Sequence, residues 1–195
     1  MEDTMKKLAL ALVMASAGLM AFSGAPPRVA QDDDNVVVGG MAMFPMKTIV
    51  ENAVNSKDHT TLVAAVKAAG LVDVLSGKGP FTVFAPVNGA FAVLPAGAVD
   101  NLLKPENKDT LTKILTYHVV AGRIDSKELR HRIKAGGGKA ELKTVEGDSL
   151  WVEMNGPANI TITDAAGNIA DISTYDVYQS NGVIHVIDKV LMPKL

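Results

Sequence analysis

The sequence predicts an α+β fold. Helical periodicity dominates the front half of the chain, with one or two strand-like runs set into it. The back half is a succession of short alternating segments separated by turn residues. The two kinds of pattern are segregated rather than alternating, which argues against a regular βαβ repeat.

The elements follow in chain order. In "MFPMKTIVENAVNS", Thr48 and Glu51 have the spacing of a capping box, and Ile49, Val50, Ala53 and Val54 fall on one helical stripe. "DHTTLVAAVKAAG" predicts a second helix with Asp58 as N-cap, Leu62, Val66 and Ala69 on one face, and Gly70 as the stop. "LVDVL" adds a short helical turn before the glycines of "SGKGP". "FTVFAP" alternates and is rich in strand formers, so residues 81–85 form a strand ended by Pro86. Asn88 is the candidate cap of a short helix reaching Phe91, and "AGAVDNLL" is another short helix. "PENKDTLTKILTYHV" has Pro105 in its first turn and Leu111, Ile114, Leu115 and His118 on one stripe. A strand in "HVVAGRI" and a helix capped by Asp125, marked by Leu129 and Ile133 and closed by "GGG", come next. "KAELKTV", "SLWVEM", "NITIT", "NIADIS" and "GVIHVIDKVL" are then β segments joined at "EGD", "NGP", "DAAGN" and "QSNG".

Composition bounds the function. With 48% hydrophobic but only 5% aromatic residues, the core must be built from Val, Ile, Leu and Ala. A net charge of -2 gives no footprint for nucleic acid. The absence of cysteine removes disulfides, thiol nucleophiles, thiolate metal sites and a lipidated N-terminal cysteine. Residues 1–23 read as a signal peptide: Lys6 and Lys7 precede the apolar run "LALALVMASAGLMA", and cleavage is expected after Ser23, with Ala25 as the alternative. Residues 24–42 are expected to be a flexible lead-in, its Asp32, Asp33 and Asp34 a solvated charge run rather than a calcium loop. Residues 43–195 form one domain. No further segment is apolar enough to span a membrane, so the mature chain is expected to be a soluble monomer, periplasmic or extracellular.

The chemical candidates are few. In "GVIHVIDKVL", Val183, His185, Ile187 and Leu191 share one face, and Ile184, Val186 and Val190 the other. Both faces are apolar, so the strand is expected to be central and His185 a buried neutral imidazole. His118 falls on the apolar stripe of its helix and reads as a hydrogen-bonded core residue rather than half of an acid–base pair with Tyr117. His59 and His131 look exposed. No H-E-x-x-H, G-x-S-x-G, phosphate loop or dinucleotide fingerprint occurs, so no catalytic residue, metal or cofactor is expected. Asn159, Ile160 and Thr161 match a glycosylation acceptor by chance, and Trp151 is expected to pack against a helix.

"GPFTVFAPVNGAF" and "SNGVIHVIDKVLMP" resemble the two boxes of the fasciclin domain family, and "LTYHVVAGRI" between them is similar to its Tyr-His motif. The resemblance runs from about Met43 to Pro193. It implies a wedge of two angled β-sheets with helices packed around one edge. It assigns Phe81, Thr82, Phe84, Ala85, Pro86, Asn88, Phe91, Asn181, Gly182, His185, Ile187, Asp188 and Pro193 to the structural boxes. Where the family often has an acidic residue after Thr-Asn, this chain reads Val87, Asn88, Gly89, which removes a charge from a helix N-terminus.

The family is associated with cell adhesion and matrix contact and has no common catalytic activity or cofactor. Its Tyr-His motif, connected with integrin binding in animal members, makes Tyr117, His118, Val119 and Val120 the candidate interaction motif. The resemblance therefore implies an exported, non-enzymatic module for cell adhesion or for matrix or surface interaction, with a surface or matrix protein or polysaccharide as partner. The alternative is a periplasmic small-molecule or glycan-binding protein using an apolar pocket in the wedge opening. A hydrolase using Tyr117, His118 or His185 ranks last.

Overall fold

Order begins before Met43. The computed structural model describes residues 35–194, and its first element is a hairpin of β1 (Val37–Val38) and β2 (Met41–Ala42). Gly39 and Gly40 both take positive φ between them, at 60° and 74°, as a two-residue hairpin turn requires. The turn lets Val38 and Met43 enter the core, so residues 35–42 belong to the folded unit and not to a flexible lead-in. The expected signal peptide, its cleavage position and Asp32, Asp33 and Asp34 lie outside the described residues.

The front half is helical as expected. α1 (Ile49–Ala53) starts at the predicted capping box, with Glu51 N–H donating to Thr48 Oγ1 at 3.3 Å and Thr48 N–H to Glu51 Oε2 at 2.7 Å. A 3-10 turn at Lys57–His59 leads into α2 (Thr60–Ala69), which Gly70 ends in the left-handed region at φ 75°. α3 (Val72–Ser76), β3 (Phe81–Pro86), α4 (Asn88–Ala92), α5 (Ala98–Leu102), α6 (Lys108–Tyr117) and β4 (Val119–Ala121) follow, with a 3-10 turn at Pro105–Asn107 opening α6. α7 (Ser126–Ala135) is capped by Asp125, whose Oδ1 accepts from Glu128 N–H at 2.8 Å.

Two cap assignments are corrected. Asp58 does not cap α2, because it sits within the 3-10 turn that precedes it. Asn88 does not cap its own helix α4, whose N-cap position is Val87. Its Oδ1 instead accepts from Thr61 N–H at 3.0 Å and Thr60 Oγ1–H at 3.2 Å, while its Nδ2 donates to the Lys57 carbonyl at 2.9 Å. Asn88 thus caps α2 from a distant part of the chain, satisfying donors that a local residue usually takes.

The back half supplies β5 (Lys139–Lys143), β6 (Ser149–Asn155), β7 (Asn159–Thr163), β8 (Ile169–Gln179) and β9 (Gly182–Ile187). Seven strands are hydrogen-bonded in the order β4-β3-β9-β8-β7-β6-β5. Only the β3/β9 pair, one strand in from the β4 edge, is parallel. β8 is longer than "NIADIS" because two register shifts, around Thr174, carry it from pairing with β7 to pairing with β9. Such bulges bend a strand, and they hide its continuity by breaking the sequence alternation. The two leaves of the wedge are therefore one sheet folded at β8. Its ends come back together where Val120 bridges Thr144 and Val145 N–H donates to the Val119 carbonyl at 2.8 Å.

Two cores result. One lies between the helices and the faces of β3 and β9 that carry Val83, Ala85, Ile184 and Val186. The other gathers Phe84 and Ile187 from the opposite faces with Leu129 and Ile133 of α7 and with Leu142, Leu150, Val152, Ile160 and Ile162. α7 packs on the Leu150 and Val152 side, so Trp151 does not pack against a helix; it is half-buried with Lys139 Nζ 5.8 Å from its ring centroid.

Gly182 marks how tightly β3 and β9 approach. A Cβ there would fall on the Phe81 carbonyl oxygen and lie 2.9 Å from Ile49 Cδ1. Gly182→Ala is expected to destabilise the fold by about 1–3 kcal/mol through overpacking, and Asn88→Ala by about 1 kcal/mol through loss of a cap. Urea midpoints at constant m-value check both.

Candidate functional site

The Tyr-His motif sits where α6 ends and β4 begins. The α6 stripe of Leu111, Ile114 and Leu115 is buried as the periodicity predicts, and the next residues are drawn in with it. Tyr117, His118, Val119 and Val120 are all buried, and none presents a side chain to a partner. The Tyr117 hydroxyl donates to the Ser149 carbonyl and accepts from Ala165 N–H, both at 2.9 Å. Burial pushes this phenol up to about 12, so it stays protonated as that donor.

His118 closes the C-terminal segment onto the helix. Its Nδ1 lies 2.7 Å from the Ile114 carbonyl, and its Nε2 accepts from Leu191 N–H at 2.9 Å. A carbonyl accepts only and an amide N–H donates only, so the pair of contacts fixes the tautomer with hydrogen on Nδ1. Burial holds the imidazole down to about 4. The main chain of His118 serves as well: its carbonyl accepts from Phe84 N–H at 2.9 Å, tying α6 to β3.

His185 is fully buried in β9, with its ring stacked on Phe84 at 5.8 Å and met edge-on by Tyr175 at 6.1 Å. Its Nε2 donates to the Ile124 carbonyl at 2.9 Å, and its Nδ1 accepts from Asp176 N–H at 3.4 Å. Burial lowers its pKa, against the opposing pull of the Ile124 carbonyl. The strand is thus covered on both faces and its imidazole is neutral and doubly bonded. Asp176 is a partner that sequence reasoning missed. It is a non-glycine residue at φ 57°, and its carboxylate accepts from Ser126 N–H at 2.6 Å and Ser126 Oγ–H at 2.5 Å. Nothing in the local sequence marks that backbone conformation; it follows from the bulged register of β8.

The remaining box residues are also structural ties. Thr82 Oγ1 donates to the Gly122 carbonyl at 2.7 Å and accepts from Ile124 N–H at 2.9 Å. Asn181 accepts from Ile49 N–H at 3.0 Å and donates to the Leu75 and Gly77 carbonyls at 2.8 and 3.0 Å, joining α1, α3 and the β9 turn. Asp188 accepts from Asp171 N–H at 2.7 Å at the end of β9. Ala85, Pro86 and Pro193 are buried, and Phe81 and Phe91 are partly so.

His59 is the correction among the histidines. It is buried rather than exposed, because the 3-10 turn before α2 rotates it inward beside Ser56, while His131 is exposed as expected. Ser56 Oγ lies 2.8 Å from its Nδ1. Burial pushes the imidazole down; the Ala85 main chain favours the charged form but completes no hydrogen bond at Nε2, which is buried without a partner. Among the described residues, no three His, Asp or Glu side chains converge as a metal-ligand set, and no helix is long and apolar enough to cross a membrane.

A folded sheet whose interior polar groups bind one another, edged by short helices, defines an α+β scaffold module. A fasciclin domain profile matches residues 57–193. Protein sll1483 of Synechocystis sp. is 43% identical over 191 residues, covering 95% of this chain and 98% of its own. The cell surface glycolipoprotein MPB83 of Mycobacterium bovis is 35% identical over 161 residues, covering 80% of this chain and 64% of its own. The FAS1 domain pair from the insect cell adhesion molecule fasciclin I superposes with a TM-score of 0.67 at 21% identity, over 75% of this chain. This chain spans about half of that domain pair (51%), and the likeness bears on fold alone. The chain belongs to the fasciclin domain family.

The buried imidazoles make stability depend on pH. An unfolded histidine titrates near ~6.5, whereas His118 in the fold titrates at about 4 and His59 and His185 are also lowered. The unfolded chain therefore binds more protons in that window, so stability is full above it and falls as pH drops toward the folded value. For His118 the loss is on the order of 3 kcal/mol. Urea midpoints are expected to decline steadily from about pH 7 to about pH 4. Ring nitrogen NMR shifts of His118 are expected to stay those of a neutral imidazole at about pH 5.5, and His185 to titrate below the ordinary histidine range; a His118 ring protonated there in the native state contradicts the burial argument.

Proposed function

We propose that this chain is an exported, non-enzymatic interaction module that holds a surface or matrix component through its exterior. The observation that supports this reading most is the internal engagement of the motif residues. Tyr117, His118, Thr82 and His185 all direct their polar atoms at the protein's own main chain, so recognition falls to exposed loops and the helical edge. Catalysis by His118 or His185 would need a ring nitrogen free to exchange a proton with a substrate, and each already has both occupied.

The exterior favours a protein partner. Val37 of the hairpin, Met46 before α1, Val54 after it and Val74 of α3 are 62%, 91%, 47% and 55% exposed. They are aliphatic, whereas sugar rings are usually held on aromatic platforms. The names of the relatives agree with a surface role: one is a cell surface glycolipoprotein, and the fold neighbour is a cell adhesion molecule. Export rests on residues 1–23, read as a signal peptide.

Two measurements test this reading. The intact mass of protein recovered from its own host is expected to match a chain starting at Gly24, or at Pro26 under the alternative cleavage; a retained residue 1 removes the export step. Immobilised protein is expected to capture a surface or matrix protein, and the double variant Met46→Glu, Val74→Lys to weaken capture about tenfold with melting unchanged. Capture that survives that variant undiminished would place recognition elsewhere.

A further inference from the structure

The helical core is incompletely filled. Between α1, α2, α3 and the β3/β9 pair lies a cavity of about 60 Å³. One water needs roughly 10–15 Å³, so the space exceeds a packing defect. Its wall is aliphatic, built from side chains such as Ile49, Leu62, Val66, Val83, Ile184 and Val186. Half-buried Val50, Val63 and Val72 and the exposed Lys67 belong to the same wall, so the cavity reaches the surface between the helices.

The polar exceptions in the wall are Ser56, His59 and His118. Both ring nitrogens of His118 are bonded, to the Ile114 carbonyl and to Leu191 N–H. Ser56 Oγ is bonded to His59 Nδ1. That leaves His59 Nε2, the buried side-chain polar atom with no partner among the described residues. In the tautomer in which the Ser56 hydroxyl donates to Nδ1, Nε2 carries the hydrogen and is a donor. An unpaired buried donor beside an apolar space is a standing cost, removed when an acceptor enters.

We propose that this cavity is a binding site for a compact aliphatic group bearing one carbonyl or hydroxyl oxygen, which accepts a hydrogen bond from His59 Nε2. The apolar part of the ligand packs on the valines and isoleucines, and the remainder of a longer molecule leaves past Lys67. The site stands apart from the exterior contacts proposed above, and either reading survives failure of the other.

The test uses the full chain and two probes of suitable size. Methyl NMR spectra are recorded during titration with 2-butanone and, separately, under xenon, a smaller apolar probe with no oxygen. Saturable shifts at Val66, Val83 and Ile184 are expected with both probes. The His59 Nε2 resonance is expected to move with 2-butanone and not with xenon. His59→Leu is expected to weaken 2-butanone binding about tenfold and to leave xenon binding unchanged. No saturable methyl shift with either probe overturns the proposal, as does 2-butanone binding that leaves Nε2 unmoved. The wild-type ring resonance decides the matter even where the variant fails to fold.

Discussion

The structure depends on burying a parallel strand pair on both faces. β3 and β9 lie side by side in register from Phe81 opposite Gly182 to Pro86 opposite Ile187, and almost every residue in them is buried. Parallel strands require cover on each side. Here the helices provide one cover, and the folded-back leaf of the same sheet with α7 provides the other. The bend in β8 and the lack of a side chain at Gly182 both serve that one requirement.

Burial on both faces leaves no water for polar groups, so each must find a partner within the protein. The box residues meet this need. Thr82 and His185 both bond Ile124, one through its amide and the other through its carbonyl. They lock the segment before α7 against the β3/β9 pair from two strands. His118 and Asp164 together hold the C-terminal segment, through Leu191 N–H and Met192 N–H. Asn181 joins three elements that are far apart in the chain. A hydrogen-bonded interior of this kind tolerates few substitutes, since replacing one partner strands the other.

The proposed function rests on the division between inside and outside. The Tyr-His segment that the family resemblance marks for recognition is interior in this chain, and under the proposed reading it only holds the exterior in place. A scaffold whose polar interior is saturated leaves its surface free to vary. The exception is His59, where saturation stops one atom short beside unfilled apolar space.

The sequence alone determined the element types, the α+β class, the buried character of β9 and the amphipathic stripe of α6, because hydrophobic periodicity and capping are local and are written within a few residues. It also carried the Gly39-Gly40 hairpin signal, unread because the hairpin is so short. The tertiary structure decided what depends on distant chain. It turned His59 inward through the 3-10 turn, and it used Asn88 to cap a helix that begins at Thr60. It also carried β8 through its bulges so that Asp176 could meet both Ser126 and His185, and it made two leaves one sheet. Apart from His59, turned by a local 3-10 turn beside Ser56, the deciding partner lies far along the chain, and no periodicity or local motif encodes which distant hydrogen bond or packed face will meet a given side chain.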